Sequence, residues 1–140
     1  MVQFIEFFHN HTLLFAALLV VLTLLALNEV HGNLTAGKRL GALEAVRMIN
    51  DRDPLILDLR PAADFKRGHL LNAVNLSLLK LEEKIGEHAK DKSRLMIVYD
   101  AFSSSHGAVE KLRKQGYTEV YPLRGGINSW LGASLPVTAK

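Results

Sequence analysis

The chain has 140 residues, no cysteine and a formal net charge of +3, which excludes a disulfide scaffold, a thiolate metal site and a cysteine nucleophile anywhere in it. Basic and acidic residues are interspersed without a long basic block, so nucleic-acid binding is not indicated. With an apolar N-terminal segment set aside, the remainder suffices for one ordinary domain of about 100 residues and not for two.

Thr12 to Leu27 reads TLLFAALLVVLTLLAL, with no charged residue. At 1.5 Å per residue it covers about 24 Å, and extension back through Phe7 and Phe8 brings it near the roughly 30 Å of a hydrocarbon core. A single transmembrane helix is expected. A cleaved signal peptide would carry Lys or Arg before the apolar run, whereas residues 1–12 hold neither, and LALNEVHG offers no small-x-small cleavage site. A buried core helix is the other reading, but the rest of the chain already contains the elements of a domain. Lys38, Arg39 and Arg47 follow the apolar run while Glu6, His9 and His11 precede it. The positive-inside rule therefore places the N-terminus outside and the C-terminal Lys140 in the cytoplasm. His9, His11 and His31 flank the segment, but two nitrogens without a third ligand make a poor site and no metal is expected. The organisation is a tail and transmembrane helix over 1–30, a linker over 31–39, with Lys38 and Arg39 near lipid headgroups or solvated, and a domain over 40–140.

From Leu40 the pattern alternates. LGALEAVRMIN spaces its apolar residues for a helix, and PLILDLR is a short apolar run of the kind a buried parallel strand shows. PAADFKRG predicts a short helix starting at Pro61, where the missing N–H costs nothing, and stopping at Gly68 through a left-handed backbone. NAVNL is a strand candidate, and LSLLKLEEKIGEHAKDKS is an amphipathic helix with Leu78, Leu81 and Ile85 on one side. RLMIVY is the clearest strand, SSHGAVEKLRKQG the helix after it, and TEVYPLRGG a last strand and turn. Strands separated by helices imply parallel pairing and an α/β sandwich.

Several side chains stand out for chemistry. Asp58 and Arg60 at a strand end, with Asp64 one short helix later, predict a charge network that fixes the turn. His69 beside a helix stop reads as a hydrogen-bonded structural histidine. Gly125 and Gly126 allow the last turn to approach neighbouring backbone, and Trp130 packs the last helix on the sheet. Asp100 to Ser105 (Asp100, Ala101, Phe102, Ser103, Ser104, Ser105) lie where a strand end meets a helix start, the place where ligands gather in open α/β sheets. A phosphoryl-accepting aspartate there lacks a second acidic cluster. A serine–histidine pair with His106 is disfavoured because adjacent residues entering a helix point apart, and serines there are ordinary N-caps.

Asp58 to Leu76, DLRPAADFKRGHLLNAVNL, resembles the rhodanese motif D-x-R-x-x-x-(D/E)-(F/Y)-x-x-G-H-(I/L)-x-x-A-x-(N/H)-(I/L), and GYTEVYPLRGGINSW, Gly116 to Trp130, resembles that family's G-(Y/F)-x-x-V-x-x-L-x-G-G-x-x-x-W ending. The resemblance runs from about Leu40 to Val137. It implies a rhodanese-like sandwich, a central parallel sheet flanked by helices, here preceded by one transmembrane helix as in membrane-anchored single-domain rhodanese proteins of the bacterial inner membrane. It implies sulfur transfer by a cysteine that becomes a persulfide in a cradle of backbone N–H groups. Asp100 occupies that cysteine's position, the loop is one residue shorter near Phe102 and Ser103, and the loop's usual glycine and arginine are absent. A carboxylate forms no persulfide. The expectation is a domain silent as a sulfurtransferase, without cofactor, retained to bind another membrane-associated protein. A sulfurtransferase using a partner's thiol and a small-anion sensor are the alternatives. Asp100 is expected to fill the cradle as a permanent internal anion, facing the N–H groups of Phe102 to Ser105.

Overall fold

A computed structural model describes residues 1–102 and 104–139, with the side chains of residues 4, 8 and 31–36 outside that description. Ser103 and Lys140 therefore lie outside the described residues. The chain divides into two units, Met1–Gly37 and Lys38–Lys140.

The first unit is helical: α1 (Val2–Asn10) and α2 (Thr12–Ala36), separated at His11. Within α2, Thr12–Val30 has a mean hydropathy of 2.4 and is long and apolar enough to cross a membrane. Leu13, Leu14, Leu18, Leu19, Leu22 and Leu25 are all exposed, so apolar side chains cover this helix all round rather than in a single stripe. The hydroxyl of Thr23 donates to the Leu19 carbonyl at 2.8 Å, so this polar group is satisfied within the helix. Of the expected linker over 31–39, residues 31–36 continue α2, which ends at Ala36. Helix propagation adds a hydrogen bond per residue, and Gly32 costs only about 1 kcal/mol against it.

The second unit runs α3 (Ala42–Arg52), β1 (Leu55–Asp58), α4 (Ala62–Arg67), β2 (Val74–Asn75), α5 (Leu81–His88), β3 (Met96–Tyr99), α6 (His106–Lys114), β4 (Val120–Pro122) and α7 (Gly126–Gly132). The strands form one parallel sheet in the order β2-β1-β3-β4. Leu40 joins its edge through a bridge to Leu123. Alternation along the strands divides the core between two faces. Leu57, Met96, Val98 and Val120 pack with Leu81 and Ile85 of α5 and Ala108, Val109 and Leu112 of α6. Ile56, Ile97 and Tyr99 pack with Ala42 and Ala45 of α3 and Ile127 and Trp130 of α7. The α/β sandwich read from the alternating pattern is thus present, with its core on both faces of the sheet.

Three local expectations change. Pro61 is the N-cap of α4 and Ala62 its first residue. Gly68 has φ 166°, an extended backbone open to any residue, so the left-handed stop is absent. A Cβ there would lie 3.4 Å from Val137 Cγ2, close to an ordinary van der Waals contact. Leu78 precedes α5 and is exposed, leaving Leu81 and Ile85 to carry that helix's buried side.

Candidate functional site

The base of the site is a carboxylate, Asp58, buried at the end of β1 and paired in register with Tyr99 of β3. It accepts the Tyr99 hydroxyl at 2.7 Å, the Arg60 amide at 2.9 Å, and Arg60 Nε and Nη2 at 3.1 and 2.7 Å. A buried ion pair is tolerated where each oxygen is hydrogen-bonded in this way. Arg60 Nη2 also donates to the Gly68 carbonyl at 2.6 Å, and the Leu70 amide donates to the Tyr99 oxygen at 3.1 Å. Asn75 closes the base by donating to the carbonyls of Asp58 and Arg60 at 3.1 and 2.8 Å. Burial, then the hydrogen bond and charge of Asp58, push the Tyr99 hydroxyl above its ordinary pKa. Burial lowers that of Arg60, but its hydrogen bonds and charge pairing with Asp58 prevail and hold it above the ordinary value.

The network thus includes Asp58 and Arg60 as expected, but not Asp64, which forms an exposed ion pair with Arg67 one helical turn away. This is a correction with a simple cause: residues at i and i+3 on a helix are neighbours, and Arg60 is already engaged. His69 is buried, its Nδ1 2.7 Å from the Phe65 carbonyl and its ring stacked on Phe65 at 3.7 Å. It is structural. Tyr99, which ties the two strand ends together, was not singled out by the sequence, where its only signal is a polar tip at the end of a buried run.

Asp100 follows β3 directly. Its Oδ1 accepts the Phe102 amide at 3.1 Å, and its Oδ2 accepts the Ser104 hydroxyl. The carboxylate is therefore turned onto its own loop, as an Asx-type turn does. Ser104 is engaged by Asp100, and this leaves no serine–histidine pair among the described residues. Ser105 occupies the N-cap of α6 but makes no side-chain capping bond, which corrects the expectation of an ordinary serine cap. Ser103 of the expected anion loop lies outside the described residues, and Ala101 offers its carbonyl to the Asn128 amide at 3.3 Å.

The glycine pair explains how this loop is held. Gly125 and Gly126 have φ +74° and +58°, values that disfavour any residue with a Cβ. A Cβ on Gly126 would lie 2.8 Å from the Ala101 carbonyl carbon and closer still to the carbonyl oxygens of Asp100 and Phe102. Ile127 then donates to the Asp100 carbonyl at 2.9 Å. Trp130, buried in α7, donates through Nε1 to the Pro136 carbonyl at 2.9 Å. The carboxyl ends of β1 and β2 line a groove of about 410 Å³ whose charged lining, Arg60, Lys80 and Lys84, is entirely positive.

A family model described as rhodanese-like domain matches residues 42–133. YibN of Escherichia coli K12, an uncharacterized protein, is 28% identical over 139 residues, 98% of this chain and 97% of YibN. That similarity includes the apolar N-terminal segment. The thiosulfate sulfurtransferase GlpE of Coxiella burnetii is 37% identical over 93 residues, 66% of this chain and 86% of GlpE. Among solved structures, the Alr3790 protein from Anabaena sp. superposes with a TM-score of 0.64 at 25% identity, covering 72% of this chain and 82% of that one. A rhodanese-related protein from Thermoplasma volcanium shares the fold, with a TM-score of 0.64 over 74% of this chain and 99% of its own. The chain contains no cysteine, so no persulfide can form on it. The matched span contains the Asp58–Arg60 base, the Asp100 loop and the glycine pair that supports it: the chain belongs to the rhodanese-like domain family and lacks that family's nucleophile.

Proposed function

We propose that this chain is a membrane-tethered rhodanese-like domain, held at the cytoplasmic face of the membrane, that binds another membrane-associated protein and does not transfer sulfur. The observation that carries this reading is the engagement of Asp100, at the family's cysteine position, by Phe102 and Ser104 of its own loop. A loop serving a partner's thiol needs its donors free to face a persulfide, and an anion sensor needs an empty centre. Here a side-chain carboxylate already takes one loop amide and one loop hydroxyl. The helix Thr12–Val30 supports a tether, and Lys38, Arg39 and Arg47 after it support a cytoplasmic domain. A tether confines the domain to the membrane surface and raises its effective concentration toward partners there.

The test is a comparison of the full chain with a chain lacking residues 1–33, each isolated from cross-linked membranes. A partner that is itself membrane-associated and is held by the full chain alone supports the reading, while identical partners for both chains refute the need for a tether. A C-terminal reporter active only outside the cytoplasmic compartment refutes the orientation.

A further inference from the structure

The four strands are parallel, so their carboxyl ends share one edge, and the chain enters the domain at that same edge. Leu40 donates to the Pro122 carbonyl at 2.9 Å and accepts the Arg124 amide at 2.7 Å, at the carboxyl end of β4. Arg39, just before it, lines a crevice with Ser105 and His106 at the start of α6. The next residue of α6, Gly107, would place a Cβ 4.0 Å from the Leu78 side chain, so the loop after β2 adjoins the start of α6. The edge thus carries Arg39, the Asp100 loop, Leu78, Leu79 and Lys80 in succession.

Its surface combines two features. Phe102 and Leu79 are 67% and 91% exposed, although both are large and apolar. Next to Leu79, Lys80 and Lys84 line the groove described above. Neither has an ion-pair partner among the described residues, nor has Arg39. Three of the acids nearby are engaged: Asp100 is bound within its loop, Glu44 pairs with Lys38 at 2.7 Å, and Glu82 reaches Lys111 at 3.6 Å. Glu83 and Glu87 of α5 have no ion-pair partner among the described residues, but both stand outside the groove lining.

We infer that this carboxyl edge is a docking surface for an anionic lipid bilayer, with Phe102 and Leu79 entering the interface and Lys80, Lys84 and Arg39 against lipid phosphates. The inference rests on the membrane-tether reading. Two arguments select lipid over an acidic protein. Free cations beside exposed apolar side chains match an anionic surface with an apolar interior. Residues 31–37, between the apolar helix segment and the domain, span about 25 Å even when fully extended. On the tether reading, that length limits how far the domain travels from the bilayer.

The absence of native cysteine permits single labels. The full chain is placed in lipid nanodiscs made of equal parts phosphatidylglycerol and phosphatidylcholine, with a nitroxide on Leu79→Cys, Phe102→Cys, Lys90→Cys or Leu18→Cys. Collisions with oxygen, which partitions into lipid, are compared with collisions with a water-soluble nickel chelate. Labels at 79 and 102 are expected to favour oxygen several-fold over the label at 90. That preference should vanish in pure phosphatidylcholine discs and in the combined Lys80→Glu, Lys84→Glu background. Labels at 79 and 102 that are as water-exposed as the one at 90, while 18 stays in lipid, overturn the docking and leave the tether intact. Shielding of 79 and 102 from both reagents overturns it in favour of a protein surface. A water-exposed label at 18 overturns the tether and the docking together.

Discussion

The Asp100 carbonyl receives the Ile127 amide at 2.9 Å, so the start of α7 is bonded to the loop at which the family carries its nucleophile. The loop is positioned from behind by backbone, and Gly126 is what allows the approach.

Gly126→Ala is expected to cost about 2–4 kcal/mol, from the left-handed backbone and the displacement of Ala101 and its neighbours. Chemical denaturation of the full chain in detergent measures this. A loss below about 0.5 kcal/mol would mean that the loop and α7 separate freely.

Asp100→Ala should destabilise the domain by about 1–2 kcal/mol, since the Phe102 amide and Ser104 hydroxyl lose their acceptor. Asp100→Asn retains one acceptor oxygen and should cost less. Sulfate should raise the denaturation midpoint of the Ala variant and leave that of the parent chain unchanged. Identical midpoints for all three proteins, with or without sulfate, would show that Asp100 is merely tolerated.

No thiosulfate-dependent sulfur transfer above a protein-free control is expected from the parent chain, and Asp100→Cys alone should not produce efficient turnover. The Ala101 carbonyl is bonded to α7, and the resemblance implies a family loop one residue longer than this one. A misplacement of about 1 Å is enough to remove two orders of magnitude in rate. Family-like turnover from the single substitution would show that only the nucleophile was lost.

Tyr99→Phe removes the hydroxyl that donates to Asp58 and accepts from Leu70, and should cost about 1–3 kcal/mol at neutral pH. The pH response carries a sign. The folded hydroxyl holds its proton to higher pH than the unfolded one, so above about pH 10 the folded state binds more protons and stability falls as pH rises. The Phe variant should lack this part of the alkaline decline. Parallel slopes for the two proteins between about pH 9 and 11 would count against a buried, neutral Tyr99.

The sequence made local features legible and long-range ones much less so. Asp58, Arg60 and the glycine pair lie at fixed spacing within motifs, and their roles follow from short-range geometry. Tyr99 lies 41 residues from Asp58; only the register of β1 against β3 brings them together, and a single sequence read by itself carries no sign of that register. Asp64 was misjudged because its charge was grouped with the motif rather than with Arg67, its neighbour on the helix surface. The continuation of α2 past Gly32 was missed because a glycine weakens a long helix without ending it. Lys80 and Lys84 read as a wet helix face, and only the folded groove beside Arg60 gathers them with a third cation.

The pairing of Leu40 with Leu123 has a consequence for how the protein is made. Leu40 is the first buried residue of the domain, and its partners Pro122 and Arg124 lie near the other end. No stretch emerging early from the ribosome can finish this edge of the sheet, so the domain closes only when nearly all of it has been synthesised. By then the apolar N-terminal helix has long left the ribosome. The segment before Leu40 thus leads into the piece that awaits its last partner, and a pull on that segment is borne by the two backbone hydrogen bonds of Leu40.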